Sequence, residues 1–287
     1  MALENSQKDL SSYKMVISSS KPVVNLVRLG RTKYLPALKL QQSLAEKIKN
    51  LRPKSAEGQI RKDDTMKENY ILVLEHEPVY TIGMRDRTKY AEEANNTNFA
   101  ALGADFVETD RGGLITFHGP GQLVVYPILD LKNFVPNNTL FRGKKANLVG
   151  MRWYVDTLEQ TVINMLKEHY SLEAHRSPHT GVWLGNEEKG DERKICAMGV
   201  HNSQLVTSHG LALNCNTDLA WFDHIVPCGI EGKGVTSITK ELPMIEEEEV
   251  TGENAIPHLI SSFQNSFSCD IKERDNSEFI EFISNNS

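Results

Sequence analysis

The sequence predicts an α+β fold, a mixed β-sheet flanked by helices. Strand-like runs come in clusters, and the helical patterns stand between the clusters instead of alternating with single strands as βαβ units do. No internal repeat and no clean linker divides the 287 residues. A flexible lead-in over residues 1–21 and a single domain over residues 22–287 are therefore expected.

The elements follow in order. Leu38, Leu40, Leu44, Ile48 and Leu51 recur at helical spacing. Residues 52–70 are polar and charge-dense, the composition of a surface insertion or a disordered loop. The apolar runs Ile71–Leu74 and Val79–Ile82 read as strands separated by a Glu-Pro turn. Residues 111–131 hold two strand-like runs around a His-Gly-Pro-Gly turn, for which a hairpin is the simplest structural account. Met151, Val155, Leu158, Val162 and Met165 share one face of a helix running to Glu168. Gly181 to Asn214 is strand-rich, broken by the charged stretch NEEKGDER. Residues 243–253 carry Glu246 to Glu249 and read as a solvated loop, and Ile256, Leu259, Ile260, Phe263 and Phe267 mark a final amphipathic helix.

Composition narrows the class. With 39% hydrophobic and 24% charged residues the chain is ordinary for a soluble globular protein. A net charge of -6 and a pI near 5.9 argue against a nucleic-acid binder, while leaving room for a local basic patch facing an acidic protein partner. No apolar run is long enough for a membrane span. Cys196, Cys215, Cys228 and Cys269 form no Cys-x-x-Cys pair, so a reducing compartment is expected and each thiol is either core filling or chemistry. The N-terminus is serine-rich, as organelle presequences often are. It carries Glu4 and Asp9, has no arginine before Arg28, and lacks the apolar centre of a secretory signal, so composition leaves targeting open.

Several motifs fail on inspection. Gly119-Pro-Gly121 is followed by Val124 where a dinucleotide fingerprint needs glycine, and Gly232-Lys233 is followed by Gly234 where a P-loop needs Ser or Thr. The spacings of His201, His209, Cys215, His224 and Cys228 match no zinc pattern, so no metal is expected. There is no Gly-x-Ser-x-Gly elbow for a serine hydrolase.

Two stretches resist a purely structural explanation. In Arg111-Gly-Gly-Leu-Ile-Thr-Phe-His118-Gly-Pro-Gly-Gln122 the glycines let backbone approach a ligand, and a hairpin does not account for the clustered Arg, His and Gln. Cys228, in Ile225-Val-Pro-Cys-Gly-Ile230, sits on a stiff corner, where an inert thiol is the ordinary reading and a reactive one the alternative. A reactive thiol needs a cationic neighbour. Lys194, heading the apolar run Arg193-Lys-Ile-Cys-Ala-Met-Gly199, is a candidate, although a lysine ending a charged loop explains it equally well.

Taken together, RGGLITFHGPGQLVVYPILDL (111–131), RKICAMGV (193–200), SHGLALNCNTDL (208–219) and VPCGI (226–230) resemble the octanoyl-acyl-carrier-protein:protein N-octanoyltransferase family. The resemblance runs from about Val24 to about Phe267, and the longer stretches at 52–70 and 186–192 resemble eukaryotic members. It implies a lipoate/biotin protein ligase-like fold (class II aminoacyl-tRNA synthetase/biotin synthetase-like), a mixed β-sheet flanked by helices. It also implies a Cys–Lys dyad falling on Cys228 and Lys194. Ligand contacts fall on Arg111, Gly112, Gly113, Leu114, Ile115, Thr116, Phe117 and His118, on Ala197, Met198 and Gly199, and on Gly210, Leu211 and Ala212, with His209 supporting the dyad. Phe117 stands where bacterial members usually have tyrosine, a departure expected to alter pocket polarity slightly.

The implied reaction moves an octanoyl group from acyl carrier protein to a lysine of lipoyl domains, in 2-oxoacid dehydrogenases and the glycine cleavage H protein. No cofactor is implied beyond the phosphopantetheine thioester on acyl carrier protein. Lys194 either stabilises the Cys228 thiolate as a cation or takes its proton as a neutral amine. Backbone N–H groups near Ala197–Gly199 or Gly210–Ala212 are candidate oxyanion donors. Mitochondrial location follows from the eukaryotic-type resemblance, with the cytoplasm as the alternative. A lipoate–protein ligase or a lipoyl amidotransferase of the same fold, and a non-catalytic carrier-docking module, are the competing readings.

Overall fold

A computed structural model describes residues 21–52, 68–85, 99–134, 140–141, 144–145, 149–226, 232–242, 244 and 250–287. The expected lead-in lies outside these residues apart from Lys21, as do most of the 52–70 insertion and the Glu246–Glu249 run.

The elements begin with β1 (Val23–Thr32), α1 (Tyr34–Asn50), β2 (Tyr70–His76), β3 (Val79–Ile82), β4 (Asp105–Glu108), β5 (Thr116–His118) and β6 (Gln122–Ile128). Next come β7 (Leu140–Phe141), β8 (Lys144–Lys145), α2 (Met151–Tyr170), β9 (His175–Arg176), β10 (Val182–Leu184), β11 (Arg193–Ser203) and β12 (Val206–Asn214). The chain closes with β13 (Gly234–Val235), α3 (Ile238–Glu241), α4 (Gly252–Phe267), β14 (Asp270–Glu273) and α5 (Ser277–Asn285).

The expected mixed sheet is present. Its order is β14-β1-β2-β6-β12-β11-β10-β9, with β13 pairing β11. β1 runs parallel to both β14 and β2, whereas β2, β6, β12, β11 and β10 pair antiparallel in succession, and β13 joins β11 in parallel. Both faces of the central strands are covered, which is why β2 and β6 read as nearly unbroken apolar runs. On one face Val73, Val125 and Leu211 meet Leu158 and Val162 of α2 and Leu259 and Phe263 of α4. On the other, Leu72, Val124 and Tyr126 meet Leu40, Leu44 and Ile48 of α1 and Phe279 of α5. Successive strand residues point to opposite faces, so each strand feeds both cores.

The two strands expected around the Glu-Pro turn are present, and the pairing corrects one local expectation, the hairpin at 111–131. β2 and β3, separated by the Glu-Pro turn, belong to different sheets: β2 is central in the main sheet, and β3 is the middle strand of a small β4-β3-β5 sheet. The His-Gly-Pro-Gly turn does not close a hairpin either. β5 pairs β3 and β6 pairs β2 and β12, so the turn carries the chain from the small sheet to the large one. Both runs were legible, but their partners are remote in sequence. This crossover hangs the small sheet over the open part of β11 and β12.

Candidate active site

A cavity of about 560 Å³ lies where the segment joining β4 to β5 crosses β11 and β12. Three of the four sequence motifs meet there. Arg111, Gly112, Gly113 and Leu114, then Thr116 and His118, form one wall. Ala197, Met198 and Gly199 with His209, Gly210, Leu211 and Ala212 form the other, and Lys194 closes one end with Val155 and Thr180. Ile115 and Phe117 do not reach the cavity. They join the core of the small sheet, where Phe117 stacks on Trp221 with ring centroids 4.9 Å apart. Strand alternation explains the split, since Thr116 and His118 face one way and Phe117 the other. Replacing a family tyrosine by Phe117 therefore changes that core and not the cavity wall. Cys228 lies outside the described residues.

The 111–114 segment is held backbone against backbone. Gly112 donates its N–H to Val200 O at 3.0 Å, and Met84 N–H reaches Arg111 O at 3.0 Å. Arg111 is buried and spends Nη2 on Thr81 O, Thr81 Oγ1 and Leu114 O at 2.8, 2.8 and 3.0 Å. Its guanidinium thus staples the segment that lines the cavity. A Cβ at Gly199 would stand 2.9 Å from both Arg111 Cδ and Gly112 O, so only glycine lets the segment lie on the strand.

The peptide groups sort themselves by pairing. Leu211 and Ala212 lie in β12 between β11 and β6 and are paired on both sides, whereas Gly210 is paired with Gly199 of β11. β11 is paired on its outer side only as far as Cys196. Beyond it Val200 O turns outward to Gly112, and groups two residues apart in a strand point the same way. The Met198 N–H accordingly faces outward, on the cavity side.

Hydrogen bonds fix the state of the histidines. Gln122 Nε2 donates to Asn214 Oδ1 at 2.9 Å and to Phe117 O, leaving Oε1 to accept from His118 Nδ1–H at 2.7 Å. His118 Nε2 is then the ring's acceptor. His76 donates Nδ1–H to Thr32 O at 3.0 Å and accepts at Nε2 from the Tyr126 hydroxyl at 2.7 Å. His209, held at φ 56 inside β12, donates Nε2–H to Asp110 Oδ1 at 2.9 Å. Its Nδ1 faces the Tyr34 hydroxyl at 3.5 Å.

Burial pushes His118 down to about 3, with His76 and Arg111 adding to the shift, and pushes His76 down to about 4. His209 is also lowered by burial, against the pull of Asp110, whose carboxyl the His209 hydrogen bond holds down at about 2. Burial raises the Tyr34 hydroxyl to about 12 and carries Tyr126 well above its ordinary value. Of these rings, Tyr34, His118, Tyr126 and His209 line the cavity and are uncharged near pH 7, beside the guanidinium of Arg111. The thiols of Cys215 and Cys269 are pushed up to about 12 by burial and that of Cys196 further still, the behaviour of core-filling cysteines.

Several site residues carried no signal in the sequence. Tyr34, Tyr126 and Thr180 stand alone in elements whose pattern speaks only of packing. Asp110 could have been suspected, since it directly precedes the Arg-Gly-Gly motif.

A mixed sheet with helices on both faces is thus crossed by a glycine-rich segment that shapes a half-open cavity beside a buried lysine. The chain belongs to the lipoyl protein ligase A/B catalytic domain family, whose profile matches residues 33–264. Among its relatives is a zebrafish (Danio rerio) protein named octanoyl-[acyl-carrier-protein]:protein N-octanoyltransferase, mitochondrial. The two are 47% identical over 253 residues, 88% of this chain and 96% of the relative. A human protein of the same name is 40% identical over 257 residues, 88% of this chain and 97% of its own. An octanoyltransferase of Flavobacterium johnsoniae is 41% identical over 244 residues, 84% and 97% of the two chains. Among solved structures, the bipartite lipoate protein ligase of Thermoplasma acidophilum superposes with a TM-score of 0.57 at 14% identity, covering 93% of this chain and 91% of that one. A lipoate-protein ligase A gives 0.55 at 15% identity, covering 92% and 93%. Both share the fold.

Proposed function

We propose that this protein transfers an octanoyl group from octanoyl-acyl carrier protein to a lysine of lipoyl domains, by way of a thioester on Cys228. The observation that carries the reading is the cavity itself: the Arg-Gly-Gly segment, the 197–199 strand and the 210–212 strand enclose one space with Lys194 at its end. Relatives matched over nearly their whole length bear that activity in their names. Their mitochondrial designation supports the same compartment for this chain.

The steps follow from the groups present. The Cys228 thiolate attacks the thioester carbonyl, the C–S bond to phosphopantetheine breaks, and that sulfur leaves as a thiol after taking a proton from the Lys194 ammonium. Covalent catalysis of this kind divides one transfer into two. Lys194 stabilises the thiolate as an ammonium; neutral once it has protonated the leaving sulfur, it takes the proton of the attacking lysine amine in the second step as Cys228 departs as the thiolate. The outward N–H of Met198 donates to the oxyanion. An amide is more stable than a thioester, so the transfer needs no ATP. The apolar part of the lining, with Leu114, Val155, Met198 and Leu211, accommodates an uncharged acyl group, and six buried methylenes contribute roughly 5 kcal/mol at about 0.8 kcal/mol each.

The test is the intact mass of the protein mixed with octanoyl-acyl carrier protein alone, without ATP. A hydroxylamine-sensitive octanoyl adduct on the wild type, absent from Cys228→Ser, is the expected result. An active wild type that never carries the adduct, or that requires ATP, would withdraw the thioester and leave a ligase.

A further inference from the structure

Lys194 is held in an unusual way for a buried cation. It is 6% exposed, yet it forms no ion pair among the described residues, and its Nζ lies 4.7 Å from the centroid of the Trp183 ring. The neighbouring Lys233 also approaches this ring, at 5.6 Å, but it is tied to Glu192 and Glu187. The indole thus faces the Lys194 amine and is only a secondary neighbour of Lys233.

A defect in strand pairing creates this contact. β10 and β11 begin in register with Val182 opposite Cys196, and continued pairing would set Trp183 opposite Ile195. A bulge between Val182 and Trp183 slips the register by one, so that Trp183 comes opposite Lys194. A one-residue slip moves a side chain to the other face of a sheet, and directly opposed residues share a face. The indole is therefore beside the amine because of the bulge, a device that re-aims side chains next to functional sites. Burial and two further contacts lock the pair. Trp183 is 1% exposed, its Nε1–H donates to His179 O at 2.9 Å, and Gly181 packs against the Lys194 stem. A Cβ at Gly181 would stand 3.3 Å from Lys194 Cε and 2.7 Å from Cys196 O.

We propose that Trp183 is a positioning residue for the transfer reaction: the bulge at Ile195 of β11 places its indole face on the Lys194 amine and holds that amine at its end of the cavity. The proposal rests on the role given to Lys194 above. An aromatic face attracts an ammonium where a carboxylate would neutralise it, so the amine is fixed in place without surrendering its charge to a partner that would compete with a thiolate.

The experiment uses the full chain and octanoyl-acyl carrier protein alone, and follows octanoyl-enzyme formation in a single turnover by mass. Site-specific fluorinated tryptophans at position 183 keep the ring's shape and weaken the attraction of its face, so folding is preserved. The rate is expected to fall stepwise with each added fluorine, reaching about 2-fold to 30-fold for the most fluorinated ring, the span of a cation–π contact. Trp183→Leu is expected to fall at least as far and Trp183→Phe to recover most of the loss. A flat response to fluorine would overturn the proposal, as would Leu and Phe variants that are equally slow. Lys194→Met separates the two readings. If it abolishes the adduct while the fluorine series stays flat, only the positioning role fails. If wild type forms no adduct, the role of Lys194 fails and this proposal with it.

Discussion

At the scale of single residues, the site depends on what is missing as much as on what is present. Gly199 has no side chain, and the Arg111–Gly113 segment occupies the space a methyl group would need. Gly199→Ala must lift that segment or bend β11, and overpacking of this kind typically costs about 1–3 kcal/mol. We expect kcat/KM for the octanoyl donor to fall at least about 10-fold, with a lower midpoint in thermal unfolding. A variant with normal kinetics and stability would mean the segment is not pressed on the strand. Chain-length selection belongs to this scale too. One methylene in a fitted apolar slot is worth about 1–3 kcal/mol, so octanoyl should be clearly preferred to lauroyl in competition, and equal rates would argue against a fitted wall.

At the scale of elements, α1 is the least well begun. Lys33 stands at its N-cap in an extended conformation with no capping hydrogen bond, and the first turn holds no acidic residue. Lys33→Asp supplies an acceptor for the free N–H groups and a charge that suits the positive end of the helix dipole. The gain should be about 0.5–1 kcal/mol, a rise of about 1–3 °C in Tm for a chain of this size, read by circular dichroism. How much could be read in advance also divides at this scale. The helices at 34–50, 151–170 and 252–267 announce themselves by an apolar stripe, because a helix packs on one face. β14 and α5 do not: four residues and nine residues give too short a pattern. The partners of β3 and β5 were hidden because pairing is decided by contacts across the chain. The motifs likewise named Arg111, His118 and Gly199, whereas Trp183 was invisible as a site residue. Its place depends on a register slip that no local pattern records.

For the whole molecule, buried neutral histidines tie stability to pH. In the unfolded chain an imidazole titrates near 6.5, while in the folded protein His118 and His76 titrate near 3 and 4. Between those limits the unfolded chain binds more protons, so their contribution is complete above about pH 6.5 and declines as pH falls. At pH 5 each histidine should remove about 2 kcal/mol. His209, lowered by burial, acts in the same direction, and Glu159, raised by burial, opposes them at the lower end. The urea midpoint should therefore drop steeply from pH 7 to pH 5, and His76→Gln should make that slope shallower. A midpoint indifferent to pH would show that these rings are already charged or exposed. The architecture also has a meaning in time. β1 is seated between β2 and β14, and Arg28 in it pairs with Glu273, 245 positions later. A ribosome delivers β1 long before either edge is complete, so the earliest strand waits, half-paired, for one of the latest. Until synthesis reaches that segment the nascent chain holds an open edge, and its final closure is slow in proportion to the separation it must span.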